Sequence, residues 1–505
     1  MKVLIYSTGG QGAQEGCNLD EAIEQVGKGN DVFFLSCDDS IGGCMENPEF
    51  NPIICAKCRF FQKRFSKRYL PKPVEHHWVK EYMNEISEKD IPIFSYKTVS
   101  ELKSICFRNV EIGMGALSSY ITLTRNLNPL IDQNSHLYFD ALLLQQVKLT
   151  LIVEKLQEKY KFDLLVFHNG RFAQYKPLLN IAQFYDINFV CTETLESITN
   201  QRYKNYFYND IPHSISANQH NYDVFWNSWV GDTVKREQIG RSFFERRRNS
   251  QPAGDVVYTS QQKKGVLPEY WDEKKENIVI FNSSEDEFCA ISKEYDNAAL
   301  FPSQLTGIKT IVEHYQKDPN KHFYLRVHPN LMKVGYKYHL DIYKLDYPNL
   351  TVIPADSIVS TYSIMDAANK IIVFGSTTGI EAVYWKKPVI CLAAAFYKLM
   401  NIVYLPHTEA ELWDYINTPH LSCLYNDEIL RYGFYYMSES HEKTRFVNIN
   451  WKVYRWGKTV FKSLVYQKIF GSNLLYIAIQ SFFKHVLYKF GRSVRLPILE
   501  DKNIT

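Results

Sequence analysis

The chain has 505 residues, 45% of them apolar and 22% charged, with a formal charge of +3 at neutral pH. That length is more than one hydrophobic core usually serves, so two domains are expected. The near balance of charge argues against nucleic acid, or any strongly charged partner, for the molecule as a whole.

The opening run Lys2 to Tyr6 is apolar but too short for a signal-peptide core, and no stretch approaches the ~20 apolar residues of a spanning helix. A cytoplasmic location is expected, where the ten cysteines are free thiols or metal ligands rather than disulfides. The first strand breaks at Gly9-Gly10-Gln11-Gly12, Cys17 to Gly27 carries helical spacing, and Asp31 to Leu35 resumes a strand; this is a βαβ opening. The glycine loop, Gly10 included, suits close approach of a substrate to backbone. It departs from Gly-x-Gly-x-x-Gly and lacks a phosphate-loop lysine, so it is no dinucleotide or ATP fingerprint.

From Gly42 to Leu130 the pattern reads as irregular. Cys37, Cys44, Cys55 and Cys58 lie close together there, and Cys55-Ala-Lys-Cys58 has the spacing of half a zinc site. The other pair is irregularly spaced, so free thiols are favoured and no metal site is assigned. Periodicity returns with a long helix over Leu137–Tyr160. A strand at Phe162–Phe167 then ends at His168-Asn169-Gly170-Arg171. A helix over Phe172–Tyr185 follows, and a strand at Ile187–Cys191 ends at Thr192-Glu193-Thr194. The Tyr-, Asn-, Arg- and Gln-rich stretch Asn200 to Asn277 contains the interdomain connection. The boundaries expected are a first domain at 1–235, a linker at 236–276, a second domain at 277–425 and a basic aromatic tail at 426–505.

The second domain alternates strands and helices as a parallel sheet does. Strands are predicted at Asn277–Phe281, His322–Val327, Leu350–Ile353, Lys370–Phe374 and Pro388–Leu392, with helices at Gln304–Tyr315 and Thr377–Trp385. In such sheets ligands sit beyond the carboxyl ends of the strands, where this sequence places Ser283-Ser284, His328-Pro329 and Ser376-Thr377-Thr378. The turn Gly375 to Gly379 opens a helix with small hydroxyl residues and free backbone N–H groups, which favours an anion. Glu381, one turn in, is a candidate acceptor for ribose hydroxyls.

Strand, small polar turn, Gly379-Ile380-Glu381-Ala382, Lys387-Pro388 and a further apolar strand, preceded by His328-Pro329, resemble the donor half of glycosyltransferase-B enzymes. The likeness is to the bacterial capsule polysaccharide biosynthesis family that includes Kdo transferases, over roughly Asn277 to Tyr397. The fold class this implies is α/β, two Rossmann-like domains in glycosyltransferase-B architecture, here with a C-terminal basic helical extension. By the same resemblance His328 contacts the donor phosphate, Ser376, Thr377 and Thr378 stand beside it, and Ser283 and Ser284 line the crevice. Arg326 reads as a surface residue.

A transferase needs a base at the acceptor hydroxyl if it inverts configuration. Glu193 is the first candidate and His168 the second, both at strand ends of the first domain, with Arg171 opening an anion-tolerant helix start. Inverting and retaining outcomes both stay open. The reading is a glycosyltransferase that takes sugar from a nucleotide donor, CMP-Kdo-like acidic sugars favoured, to a surface polysaccharide or lipid-linked glycan. No cofactor or metal is required. Alternatives are a sugar-nucleotide epimerase, whose Gly-Thr-Arg-Pro-Glu signature has no counterpart here, and a non-catalytic membrane-associated assembly protein. Finally, Trp451 to Leu499 holds nine Lys or Arg and no acid among interleaved aromatics. Such a tail suits peripheral attachment to the cytoplasmic membrane face as basic amphipathic helix, or equally a helix pair that packs back on the first domain with its basic face solvated.

Overall fold

The computed structural model describes residues 1–9, 12–196, 198, 202–254 and 257–446, and the backbone of 453–456 and 459–462. Thirteen strands are considered in chain order. The first eight are β1 (Lys2–Ser7), β2 (Asp31–Ser36), β3 (Glu75–Trp78), β4 (Leu164–His168), β5 (Asn188–Thr192), β6 (Thr194–Glu196), β7 (Arg202–Lys204) and β8 (Phe207–Tyr208). The remaining five are β9 (Glu276–Phe281), β10 (Lys321–Arg326), β11 (Leu350–Ile353), β12 (Lys370–Val373) and β13 (Val389–Cys391).

Two large sheets result, besides the small β6–β7 hairpin, and they share one winding. The first runs β3-β2-β1-β4-β5-β8 and the second β11-β10-β9-β12-β13, all parallel except for the β5–β8 pair. In each, the strand that comes first in the chain sits centrally and the order reverses beside it, between β1 and β4 and between β9 and β12. Ligands of doubly wound sheets bind at such switch points. The α/β class with two Rossmann-like units is thus what the chain folds into.

The strands are continuous apolar runs because both faces of each sheet are covered. In β1, Leu4 and Tyr6 join one buried cluster, while Val3 and Ile5 join the cluster on the opposite face. In β9, Val279 and Phe281 pack on one side and Ile278 and Ile280 on the other. The long helix on the first sheet spans Gln133–Tyr160. It starts where Asp132 accepts hydrogen bonds from the N–H groups of Asn134 and Ser135, both at 2.9 Å, and ends at left-handed Lys161.

Three expectations need correction. The stretch Gly42 to Leu130 is not irregular: it contributes β3 and helices at Pro52–Tyr69, Val99–Ser104 and Ile112–Thr124. The helices Ile215–Asn227 and Thr233–Arg248, assigned to the first domain and the linker, instead pack in the second unit. There Tyr222, Phe243 and Phe244 share a core with Val279 and Phe281. The tail does not begin at 426 either. Helix Ile429–Met437 crosses Thr233–Arg248 at a glycine pair: a Cβ on Gly240 would stand 2.6 Å from the Leu430 oxygen, and one on Gly433 would overlap the Gly240 oxygen.

The chain then returns to the first unit. The N–H of Lys204 donates to the Glu442 oxygen at 2.8 Å, that of Thr444 to the Arg202 oxygen at 3.2 Å, and that of Arg445 to Asp20 Oδ2 at 2.9 Å. Beyond it, Val453–Trp456 pairs antiparallel with Thr459–Lys462, a ribbon where helix was expected. The rest of the basic tail lies outside the described residues, as does Gly10. Among the described residues no helix is long and apolar enough to cross a membrane.

Candidate functional site

At the carboxyl ends of β9, β10 and β12, three turns meet. Asn282 follows β9, and its Oδ1 accepts the His328 N–H at 2.8 Å, which ties the His-Pro turn to the sheet's centre. Asn330 N–H donates to His328 Nδ1 at 3.2 Å. With Nδ1 accepting, the neutral ring carries its proton on Nε2, which makes that nitrogen a donor. Burial, and then the guanidinium groups of Arg125, Arg247 and Arg326, push His328 down to about 4. The ring is therefore uncharged at neutral pH. Tyr258 meets it edge-on at 5.3 Å.

The third turn needs glycine. Gly375 has φ +84°, and a Cβ there would overlap the Ala394 carbonyl. Tyr397 donates its hydroxyl to the Ser376 carbonyl at 2.5 Å, and Ser376 Oγ accepts the Thr378 N–H at 3.3 Å. Ser376 and Thr378 face a narrow cleft of about 50 Å³ together with His328, Arg247, Arg326, Tyr258 and Gln262. Thr377 occupies the helix cap position without a side-chain cap bond and is not part of the cleft wall.

Two arginines supply the cleft's positive charge. Arg326 is not on the surface: it is 2% exposed, donates to the carbonyls of Pro354 and Ser357, and keeps a buried Nε with no protein partner. Burial lowers it to about 10, so it still carries charge at neutral pH. Arg247 reaches in from helix Thr233–Arg248 and donates from Nε to Glu381 Oε1 at 2.9 Å. The other Glu381 oxygen accepts the Tyr362 hydroxyl. With both oxygens engaged, Glu381 holds Arg247 in place.

Ser283 and Ser284 are likewise committed. Ser283 Oγ donates to the Phe374 carbonyl at 2.8 Å and accepts from Gln304 Nε2 at 2.9 Å, stitching β9 to β12. Ser284 Oγ accepts from Asn330 at 3.0 Å and from Arg125 at 3.2 Å. Neither faces the cleft. Arg125 comes from the first unit, just past helix Ile112–Thr124. It grips Asp286 through Nε at 2.7 Å and through a terminal nitrogen at 3.1 Å, and donates to the Asn330 carbonyl at 2.8 Å. Its contact with Asn330 links the two units to the His328 turn.

On the first unit, His168 ends β4 and Glu193 follows β5. Their Nε2 and Oε1 atoms are 3.5 Å apart, and Asn169 donates to the same oxygen at 2.6 Å. Glu193 is partly exposed, whereas His168 is buried and its Nδ1 has no protein partner. Tyr175 packs edge-on to His168 at 5.6 Å, with its hydroxyl 2.7 Å from Thr8 Oγ1. Arg171, buried and lowered to about 10 by that burial, donates across the units to the Glu287 carbonyl at 3.3 Å and to Thr122 at 2.9 Å. It bridges domains at its terminal nitrogens. Among the described residues no group of three His, Cys, Asp or Glu is placed to hold a metal ion.

Sequence reasoning brought His328, Ser376, Thr378 and Glu381 together, and named Glu193 and His168 as alternative bases, which the fold places side by side. It missed Arg247, Arg326 and Arg125. A signal existed for Arg247 in the basic run Arg246-Arg247-Arg248, but that run was placed in a linker.

Residues 289–427 match the model of a family described as capsule polysaccharide biosynthesis protein. The resemblance to that family holds over this span, which carries His328-Pro329 and Gly375 to Ala382 but not Ser283 or Ser284. Among solved structures the chain is similar to KpsC of Thermosulfurimonas dismutans, a beta Kdo 2,4 transferase. Identity is 13% and the TM-score 0.35, over 55% of this chain and 80% of that one. It is also similar to UDP-GlcNAc 2-epimerase from Neisseria meningitidis bound to UDP-GlcNAc, at 11% identity and TM-score 0.28 over 86% and 97% of the two chains. Glycosyltransferase SsfS6 of Streptomyces sp. SF2575, complexed with thymidine diphosphate, gives 9% identity and 0.22 over 86% and 95%. At these scores the structural likeness is loose. No curated protein matches the chain by sequence.

Proposed function

We propose that this chain is a glycosyltransferase that binds the phosphate of a nucleotide-sugar donor in the cleft between Arg247, Arg326 and His328. The observation that carries the reading is the convergence of donors there: two guanidinium groups and a neutral imidazole N–H face a cleft whose carboxylate, Glu381, is already spent on Arg247 and Tyr362. Buried cations without a free acid beside them favour an anion that accepts several hydrogen bonds. Two arginines also suit a second acid group, so an acidic sugar of the CMP-Kdo kind is the donor favoured. A cleft of about 50 Å³ takes phosphate oxygens but not a whole nucleotide sugar. The donor therefore extends out of it towards the first unit.

The arginines neutralise the leaving phosphate, so in this reading no metal is required. At the acceptor, Glu193 is the more exposed of the pair and is assigned as base. His168, whose Nε2 lies against it, is its positioning residue, with a surface polysaccharide or lipid-linked glycan as acceptor.

Calorimetric titration with CMP, UDP, GDP and CDP tests the donor half. One nucleotide should bind, and Arg326→Ala should weaken it at least tenfold. Absence of binding by all four, or binding indifferent to Arg326→Ala, sinks the assignment. A transfer assay with CMP-Kdo then separates the acidic donor from the others.

A further inference from the structure

A second and larger cavity, about 560 Å³, lies in the first unit beyond the carboxyl ends of β1 and β2. Helix Pro52–Tyr69 and the long helix Gln133–Tyr160 contribute its other walls. The donor-phosphate cleft does not use it. Four of its lining residues carry buried polar atoms without a protein partner. Tyr6 Oη, Glu15 Oε1, Gln174 Oε1 and both ends of the Gln145 amide have no protein partner, on side chains no more than 4% exposed. Each such atom, left unsatisfied, carries an uncompensated desolvation cost, which marks a place made for something else to bind.

The chemistry of the wall narrows what that is. Arg59 is the cation of the described lining, and it is ion-paired to Asp39 at 2.7 Å, so nothing here is set to receive phosphate or a carboxylate. Orphans of both kinds are present: Gln145 Nε2 and Tyr6 Oη can donate, while Gln174 Oε1, Gln145 Oε1 and Glu15 Oε1 accept. A purely apolar chain would leave them all unpaired. Phe50, Phe61 and Phe65 supply aromatic surface on other walls. The cysteines Cys37, Cys44, Cys55 and Cys58 also line it, and burial pushes all four thiols up, Cys44 and Cys58 to about 12. They are neutral wall atoms. Hydroxyls that both donate and accept, on a ring with apolar faces, meet all these conditions.

We infer that this cavity is a binding site for uncharged sugar, one or two neutral pyranose rings held by Gln145, Gln174, Tyr6 and Glu15. Resting on the transferase reading above, it would hold neutral residues of the acceptor glycan. Thr8, in the same wall, lies 2.7 Å from the Tyr175 hydroxyl, and Tyr175 packs on His168. Tyr175 thus stands between the cavity wall and the proposed acid–base pair.

Saturation-transfer NMR on the full chain tests this with maltose, lactose, cellobiose and N,N′-diacetylchitobiose, and 3′-sialyllactose as the acidic comparator. At least one neutral disaccharide should bind saturably with Kd below about 10 mM. Gln145→Leu should weaken it about tenfold, and Ala141→Phe, which fills the cavity, should abolish it. His328→Ala should leave it unchanged. Nucleotide affinity, measured in parallel, should be unaltered in Gln145→Leu and Ala141→Phe; this also shows that they fold, and Gln174→Ala replaces either one that does not. The proposal is overturned if no neutral disaccharide binds, if the acidic one is preferred, or if binding ignores these cavity substitutions. Sugar binding without any nucleotide binding would retain the cavity and discard the transferase reading.

Discussion

Glu15 shows how much one buried group can reveal. Burial, opposed in part by the hydrogen bond from Ser7, raises its carboxyl from 4.5 to about 7. The folded state thus keeps a proton that the unfolded state has lost between those values. Stability from this group is full below about pH 4.5, falls as pH rises to about 7, and stays low above. Glu15→Gln removes the buried charge, so at pH 8.5 it should raise stability by about 1–3 kcal/mol and at pH 4.5 change it little. Urea denaturation midpoints at the two pH values decide it; an equal effect at both would mean that folding leaves the Glu15 carboxyl unshifted. His328 offers a second test at this scale. As an uncharged N–H donor to an anion it is worth about 1.5–3 kcal/mol, or roughly ten- to a hundredfold in nucleotide affinity. His328→Ala should show that loss, whereas His328→Gln, which keeps a neutral N–H, should recover most of it. Equal loss in both variants would point to a charged imidazole instead.

At the scale of elements, what the sequence made legible follows a physical rule. Strands such as Ile371-Ile372-Val373 are buried on both faces, so they appear as unbroken apolar runs ending at glycine, and their positions were correct within a residue or two. Helix Pro52–Tyr69 was hidden because its apolar residues Phe61, Phe65 and Tyr69, though spaced by four, are scattered among cations and cysteines. The cleft's arginines were hidden for a different reason. Arg247 meets Glu381 across 134 residues of chain, and Arg326 hides on a strand whose neighbours give no sign of which side is buried. Local pattern carries no information on such pairings. The crossing of helices Thr233–Arg248 and Ile429–Met437 matters because the first carries Arg247. Gly433→Val would force side-chain atoms into the Gly240 carbonyl, and should cost about 2–4 kcal/mol while weakening nucleotide binding. Thermal unfolding and titration together check it, and a variant with wild-type Tm would show that the helices can separate freely.

For the whole molecule, the joint between the two sheets is the important unit. Arg125 presents two nitrogens to Asp286, which is only 7% exposed, and also touches Ser284 and the Asn330 carbonyl. Arg125→Ala leaves Asp286 buried without its cation, a loss of about 2–3 kcal/mol. It should also enlarge the radius of gyration in small-angle scattering, by freeing one unit from the other. An unchanged scattering profile would show that Arg171 and the returning segment hold the joint without it.

That returning segment has a further consequence. The chain passes outward once, between β8 and helix Ile215–Asn227, and comes back once, where residues 442–445 bond to β7 and Asp20. Two bodies joined by a single thread can tumble about three axes, but a second thread removes most of that freedom and leaves one rotation, about the line through both crossings. Any turning of one unit against the other is confined to a single arc, as a door is by two hinges.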